Sequence, residues 1–207
     1  MSQPAVKALF LDLGGVFLTN GWDRNSRQKA AEAFSLDFAD MNERHRIIFD
    51  AYEAGKMTLV EYVNLLVFHQ QRDFTPQQFI DFMYEESAPY QDMIDLVCRL
   101  KKKYNLRTVA VNNEGRELNE YRIDKFGLTG WIDIFASSCF VHTRKPDKDI
   151  YLSALDLSQV KPEQVIYIDD RKVFTEAAAA LGIRGIHHTK FETTKQALAE
   201  FGLIETL

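Results

Sequence analysis

Hydrophobic and polar positions divide the chain into two parts with different patterns. From Tyr90 onward, amphipathic helical repeats alternate with short runs of β-branched or aromatic residues. This alternation predicts crossover units, and therefore a parallel sheet covered by helices. The predicted helices cover residues 91–104, 116–126, 147–156, 172–181 and 194–201, and the predicted strands cover residues 108–111, 134–137, 165–168 and 185–187.

A further strand is predicted at the start of the chain. An apolar run too short for a helix begins at Val6 and delivers Asp12 onto the paired glycines Gly14 and Gly15. The carboxyl ends of parallel strands form the ligand-binding edge of an α/β sheet. Asp12 there would serve as a nucleophile or a metal ligand, or it would only cap the next helix.

Between residues 19 and 88 the pattern predicts helices and no strands. Two capping boxes, Thr58-x-x-Glu61 and Thr75-Pro76-x-Gln78, mark helix starts. The predicted helices cover residues 23–34, 38–54, 59–70 and 76–86. The fold class is therefore a doubly wound, Rossmann-like α/β core of residues 1–18 and 89–207, with a small helical-bundle cap of residues 19–88 placed above Asp12 as a lid.

Composition narrows the range of partners. The net charge of −5 argues against a broad surface for nucleic acid or an anionic membrane. Cys98 and Cys139 lie in apolar patterns and are interpreted as reduced core residues. With no long apolar segment, we expect a cytoplasmic protein that is a monomer or a weak homodimer.

Acidic residues also follow a second predicted strand, where Asp169 and Asp170 come in succession. Together with Asp12 they would repel one another in a cleft unless a cation neutralised them, and carboxylate oxygens indicate Mg²⁺. The alternative is that Asp169 or Asp170 caps the helix that begins near Lys172, and both interpretations are compatible.

Two further motifs stand near predicted strand ends. Lys145 precedes Pro146 on a loop, where it would counter the acids and hold a phosphate oxygen, or would be an ordinary surface lysine. Asn112 and Asn113 end the strand 108–111, where their amides would donate to a phosphate or simply form a turn.

In this order the four motifs resemble the haloacid dehalogenase superfamily of hydrolases, in the branch whose helical cap follows the first motif. Asp12 falls on the nucleophile, Asn112 on the hydroxyl residue of the second motif, Lys145 on the lysine of the third, and Asp169-Asp170 on the acidic fourth motif. Supporting matches are Tyr52-Glu53-Ala54-Gly55-Lys56-Met57-Thr58 in the cap and Cys139-Phe140-Val141 before Lys145-Pro146.

The resemblance implies phosphoryl transfer through an aspartyl-phosphate on Asp12, with Asn112 and Lys145 as its catalytic partners. It implies Mg²⁺ held by Asp12, the carbonyl of Gly14 and Asp170, with Asp169 as an acid behind them. It also implies that Lys145, Asn112 and the main-chain N–H groups near Gly15 bind the phosphate oxygens, and the amide of Asn113 is a further candidate.

Three positions depart from the family pattern. Gly14 stands where phosphatases of the family usually carry an aspartate that acts as general acid, Asn112 replaces a hydroxyl, and Phe174 replaces a polar residue. Some members with glycine at this position resemble sugar-1-phosphate phosphatases. Glu114 is expected to point away from the phosphate, with a role as the missing base as the alternative, and His142 is a candidate for lining the cleft.

Three hypotheses follow. The leading one is a Mg²⁺-dependent phosphatase of a small phosphorylated metabolite, with a sugar phosphate as one candidate. The alternatives are a catalytically weak family member that binds a phosphorylated ligand or a partner, and a dehalogenase-type hydrolase. Substrate contacts from the cap are expected at Trp22, Arg24, Phe49 and Tyr52, although most aromatic residues at helical spacing belong to a core.

Overall fold

The computed structural model describes residues 5–205 and has a parallel five-stranded sheet at its centre. The strands are β1 (Ala8–Leu11), β2 (Arg107–Ala110), β3 (Ile134–Phe135), β4 (Val165–Asp169) and β5 (Arg184–His187), in the spatial order β3-β2-β1-β4-β5. The first strand is central and every connection crosses over, so the predicted Rossmann-like fold class is confirmed.

Ten α-helices surround or extend this sheet within the described residues. An insertion between β1 and the rest of the core contains α1 (Arg24–Ala33), α2 (Phe38–Glu53), α3 (Leu59–Leu66) and α4 (Pro76–Glu85). The core contains α5 (Gln91–Tyr104), α6 (Arg116–Lys125), α7 (Ser138–Val141), α8 (Lys148–Ser158), α9 (Lys172–Ala179) and α10 (Phe191–Glu200).

Most predicted elements are present, with differences at their ends. Both predicted capping boxes form, at Thr58 and at Thr75. The predicted strand 134–137 is shorter: only Ile134 and Phe135 pair with β2, and the chain enters α7 at Ser138, a short helix that is not predicted from the sequence. Helix α3 stops at Leu66 rather than near residue 70, and α10 starts at Phe191 rather than at residue 194.

Alternate residues of β1 supply two different core layers. Leu9 and Leu11 pack on the side of α5 and α10, whereas Ala8 and Phe10 pack on the side of α8 and α9, and all of them are fully buried. A strand covered on both faces is the reason for the uninterrupted apolar run in the sequence. This double burial fixes the strand end that carries Asp12.

The first joint between the insertion and the core consists of two segments that run side by side, residues 19–21 and residues 87–88. Thr19 N donates to Ala88 O at 2.8 Å, and Ala88 N donates to Thr19 Oγ1 at 3.0 Å. Arg122, which is 1% exposed, lies behind them: its guanidinium contacts Gly21 in the first segment, and its Nε donates to Ser87 Oγ at 3.0 Å in the second.

A second joint lies at the end of α2. Ser138 Oγ donates to Glu53 O at 2.6 Å, and His142 Nδ1 lies 2.9 Å from Ala54 O. Arg144 binds the Glu53 carboxylate through Nε at 2.8 Å and Nη2 at 2.5 Å. These contacts hold the insertion over the carboxyl edge of the sheet. No helix of residues 5–205 is both long enough and apolar enough to span a lipid bilayer.

The contact between Gly21 and Arg122 at the first joint leads to a prediction about the stability of the protein. Gly21 and Gly127 share a φ of +58°, but a Cβ at Gly21 would overlap the Arg122 guanidinium, whereas a Cβ at Gly127 would meet no atom within 4 Å. We expect Gly127→Ala to cost about 1–2 kcal/mol, the strain of a left-handed residue. Gly21→Ala should cost about 1–3 kcal/mol more through overpacking.

Urea unfolding of the two variants measures this difference. Equal losses of unfolding free energy in Gly21→Ala and Gly127→Ala would show that the Arg122 side chain is free to move away from the joint.

Candidate active site

The parallel register brings three polar strand ends to one edge of the sheet. Asp12 N donates to Ile168 O at 2.9 Å, so Asp12 lies directly beside the end of β4 and its terminal Asp169. Val111 N donates to Leu11 O at 2.8 Å, which places Asn112 on the other side of Asp12. The predicted convergence of the motifs from β1, β2 and β4 is therefore present.

Lys145 is the buried cation of the site. Its Nζ lies 2.9 Å from Asp12 Oδ1 and 2.7 Å from Asp169 Oδ2, and its side chain is 1% exposed. A buried ammonium ion is tolerated only with such compensation, because desolvation of the charge is costly. The alternative of an ordinary surface lysine is therefore wrong.

Asn113 holds the main chain of Lys145. Lys145 N donates to Asn113 Oδ1 at 2.8 Å, and Asn113 Nδ2 donates to Lys145 O at 3.0 Å. The side-chain amide of Asn113, which was predicted to bind phosphate, is thus largely engaged in positioning Lys145. Pro146, which follows, fits the turn that brings Lys145 inward.

The three carboxylates of Asp12, Asp169 and Asp170 offer oxygens within 4.8 Å of one another. Asp169 is engaged through both oxygens: Oδ2 accepts from Lys145 Nζ and from the Tyr167 hydroxyl, and Oδ1 accepts from Arg171 N at 2.7 Å. Its geometry therefore suits orientation of Lys145, whereas Asp12 and Asp170 have the hard oxygens that a divalent cation prefers.

Gly15 allows Asp170 to approach the turn after β1. Its φ is +77°, and a Cβ at this position would overlap the Asp170 carboxylate. Glycine is therefore required both by the backbone conformation and by the space.

The electrostatics of the site favour a bound cation. Burial raises the pKa of Asp12 to about 7, although Lys145 lowers it, and Asp169 and Asp170 raise it further. Burial, followed by the charge of Asp169, also raises the pKa of Asp170. One lysine thus does not balance the three acids, and a divalent cation would remove the excess repulsion.

Asn112 is fixed from both sides at the end of β2. Its Nδ2 donates to Asn119 Oδ1 at 2.9 Å, and its Oδ1 accepts from Ser137 Oγ at 2.7 Å. An amide nitrogen carries two N–H groups, so the bond to Asn119 uses only one of them.

A cavity of about 490 Å³ lies between this edge and the insertion. The core lines it with Asp12, Gly14, Asn112, Asn113, Lys145 and Asp170, and the insertion lines it with Trp22, Arg24, Arg27, His45, Phe49 and Glu53. Tyr52 lines a smaller extension of about 100 Å³. All four expected cap residues therefore reach the cavity or its extension. His142 is not among the lining residues, because its ring is turned onto Ala54 at the second joint.

Glu114 lines the cavity, and the expectation that it points away from the phosphate stays a prediction. Its carboxylate pairs with Arg122 Nη1, and the partner explains how an acid is tolerated there. The sequence analysis missed Arg122. The available signal was a charge four residues after Leu118, on the buried face of α6.

Phe174 replaces the expected polar residue with an aromatic contact. Lys145 Nζ lies 4.9 Å from the centre of its ring. A cation–π interaction therefore takes the place of a hydrogen bond beside the lysine.

Comparison with known proteins agrees with this geometry. A phosphorylated carbohydrates phosphatase from Thermotoga maritima is 24% identical over 188 residues, which cover 88% of this chain and 84% of the relative. A HAD family enzyme from Bacteroides thetaiotaomicron, solved with magnesium and inorganic phosphate, has a TM-score of 0.76 at 19% identity, over 89% of this chain and 95% of that one.

A HAD-like family hydrolase from Porphyromonas gingivalis also has a TM-score of 0.76, at 22% identity, over 95% of this chain and 98% of that one. These structural likenesses support the fold. The family model for haloacid dehalogenase-like hydrolases matches residues 6–182, which is most of the chain. The protein therefore belongs to the haloacid dehalogenase-like hydrolase family.

Proposed function

We propose that this hydrolase is a Mg²⁺-dependent phosphomonoesterase of a small phosphorylated metabolite, with a sugar phosphate as the substrate class. The observation that carries the proposal is the group of Asp12, Lys145, Asp169 and Asp170 at the base of a covered cavity. The relative from Thermotoga maritima, a phosphorylated carbohydrates phosphatase, supports the substrate class.

In the proposed reaction, Asp12 is the nucleophile. One of its carboxylate oxygens attacks phosphorus in line with the leaving oxygen and forms an aspartyl-phosphate, which water then hydrolyses. Lys145 holds the Asp12 carboxylate by its Oδ1 and would neutralise charge on the transferring group. Asn112 and the main-chain N–H groups near Gly15 would bind further phosphate oxygens.

The residues present fit a magnesium ion. Asp12 and Asp170 supply carboxylate oxygens, and the main-chain carbonyl of Gly14 would complete the protein ligands, while Asp169 orients Lys145. When bound, Mg²⁺ would supply positive charge that offsets the acids and the phosphoryl oxygens.

We propose that residues 19–88 form a cap over a core of residues 1–18 and 89–207. Aromatic and charged side chains of α1 and α2 line the cavity, so the cap would select the alcohol part of the substrate, and the core would hold the phosphate.

The first prediction concerns activity. A panel of phosphorylated metabolites should release phosphate only with Mg²⁺, and Asp12→Asn should reduce release to the detection limit because the nucleophile is lost. Glu176→Gln, which alters an exposed pair on α9, is the control and should keep activity.

Other outcomes of the same panel contradict the proposal. Halide release from 2-haloacids without metal would indicate a dehalogenase. Binding of phosphorylated compounds without turnover in either condition would indicate a catalytically weak binding protein.

The second prediction concerns the metal. Saturating Mg²⁺ should raise the unfolding free energy of the protein, by about 2.7 kcal/mol at one hundred times the dissociation constant. Asp170→Asn should remove most of this gain, and Glu176→Gln should keep it. Thermal unfolding with and without Mg²⁺ measures both, and an equal gain in Asp170→Asn would exclude this carboxylate as a ligand.

The third prediction concerns pH in the metal-free protein. Because the pKa of Asp12 is raised from 3.8 to about 7 in the fold, this group makes the protein less stable as pH rises through that window. The stability of Asp12→Asn relative to the parent in EDTA should therefore increase from pH 4 to pH 7, because the parent alone loses this contribution.

Asp133→Asn provides the opposite control. Burial raises the pKa of Asp133, but hydrogen bonds from Lys101 and Thr108 outweigh it, and the net pKa is lowered. Its charge therefore stabilises the fold above its unfolded pKa, so Asp133→Asn should be less stable at pH 7 and should match the parent at low pH. Chemical unfolding across this range tests both signs.

A further inference from the structure

Because residue 14 is glycine, the proposed reaction has no side chain assigned to protonate the leaving oxygen. When the bond between phosphorus and an alkyl oxygen breaks, the oxygen needs a proton, and general acids typically contribute about 10²–10⁴ to this step. The need for a proton donor rests on the proposed function, because it arises only if Asp12 attacks a phosphate ester.

The side chain of Asn20 occupies the space beside Gly14. A Cβ at position 14 would lie 3.0 Å from Asn20 Oδ1, and the Asn20 side chain hydrogen-bonds Asp170. Asn20 therefore fills the place of the missing side chain and supports a metal ligand, but an amide has no acidic proton to transfer.

Two other titratable groups on the cavity wall are unsuited to proton transfer. Burial, together with the charges of Arg27 and Arg144, lowers the pKa of His45 to about 3, so the ring is neutral. Burial also raises the pKa of Glu53, but this residue belongs to α2 at the second joint, where two nitrogens of one guanidinium, that of Arg144, hold its Oε2.

Glu114 is held rigidly at the same cavity. It comes two residues after Asn112, its main-chain N–H donates to Ser138 Oγ at 3.0 Å, and its carboxylate pairs with Arg122. Arg122 is itself fixed by both segments that join the insertion to the core. Glu114 therefore lines the same cavity as Asp12 and Lys145, with its carboxylate held by Arg122.

The groups that face Glu114 come from four helices. Burial raises its pKa to about 7, although Arg122 of α6 lowers it, and Glu53 of α2 raises it further. Its charge in turn raises the pKa of nearby groups, namely Tyr52 of α2, Tyr62 of α3 and Cys139 of α7. A carboxyl group in this balance exchanges its proton near neutral pH.

We propose that Glu114 is the general acid and base of this enzyme, in place of the side chain that Gly14 lacks. In the first step Asp12 Oδ forms a bond to phosphorus, the bond to the leaving oxygen breaks, and the Glu114 carboxyl proton passes to that oxygen to give the alcohol. In the second step water attacks phosphorus, Glu114 takes a proton from the water, and the bond to Asp12 breaks to release phosphate.

The test compares two leaving groups in Glu114→Gln. Nitrophenolate leaves without a proton, whereas an alkoxide does not, and kcat/KM reports the steps up to the departure of the leaving group. The substrates are p-nitrophenyl phosphate and the alkyl phosphate that the panel shows to be hydrolysed fastest. We expect kcat/KM to fall about 10²–10⁴-fold for the alkyl ester and to change little for the aryl ester.

Glu176→Gln is the control, because it alters only an exposed pair on α9 and leaves the charges around Glu114 unchanged. It should leave kcat/KM for both esters unchanged. Circular dichroism and thermal unfolding check that Glu114→Gln folds, and glutamine keeps an oxygen that accepts from Arg122.

A measurement on the parent protein needs no variant. The ratio of kcat/KM for the alkyl ester to that for the aryl ester should fall as pH rises through about 7, as Glu114 loses its proton. The second phosphate ionisation differs between the two esters, so it is titrated for each substrate and divided out before the ratio is taken.

Two results would overturn the inference: an equal loss for both esters in Glu114→Gln, or a ratio that does not change with pH. Either would leave the proposed function standing, provided that hydrolysis still requires Mg²⁺ and Asp12. Activity that survives in Asp12→Asn would instead refute the proposed function.

Discussion

The buried ammonium group of Lys145 is the interaction on which the site depends. It lies between Asp12 and Asp169, which come from the ends of adjacent parallel strands. Neither carboxylate could be buried so closely without it, and the ammonium could not be buried without them. The side-chain amide of Asn113 positions the loop that carries Lys145, through hydrogen bonds to the main-chain N–H and C=O of Lys145. One ion-pair network thus links β1, β2 and β4 at the edge of the sheet.

A second buried network places the insertion over that edge. Arg122 contacts both connecting segments and the Glu114 carboxylate, while Arg144 binds Glu53 at the end of α2. Both joints of this second network use arginine, whose planar guanidinium can serve several acceptors from one fixed position. The insertion is therefore held over the cavity by two polar joints together with apolar contacts, in which Leu118 of α6 joins the buried cluster of the insertion and Tyr84 stacks on Tyr121.

Secondary-structure elements that depend on neighbouring residues can be predicted from the sequence. Side-chain orientations that depend on residues from other elements cannot. The strand ends, the capping box at Thr58 and the apolar run before Asp12 are local signals, and the structure contains the elements that they predict. By contrast, Glu114 needed Arg122 on a later helix before its orientation could be known. Asn113 shows the same limit, since an amide at a strand end suits a phosphate and a neighbouring loop equally well.

The proposed role of Glu114 must satisfy two opposing requirements. A permanently charged carboxylate beside a phosphate dianion would weaken binding, yet a proton donor is useful only near the leaving oxygen. Burial raises the pKa of Glu114 to about 7, although Arg122 lowers it, and the charge of Glu53 raises it further. Since Arg122 is held by both segments that connect the insertion, the geometry that covers the cavity is also the geometry that sets the charge around Glu114. A fold that has glycine at position 14 therefore retains a buried acid in the cavity, at the joint where core and insertion meet.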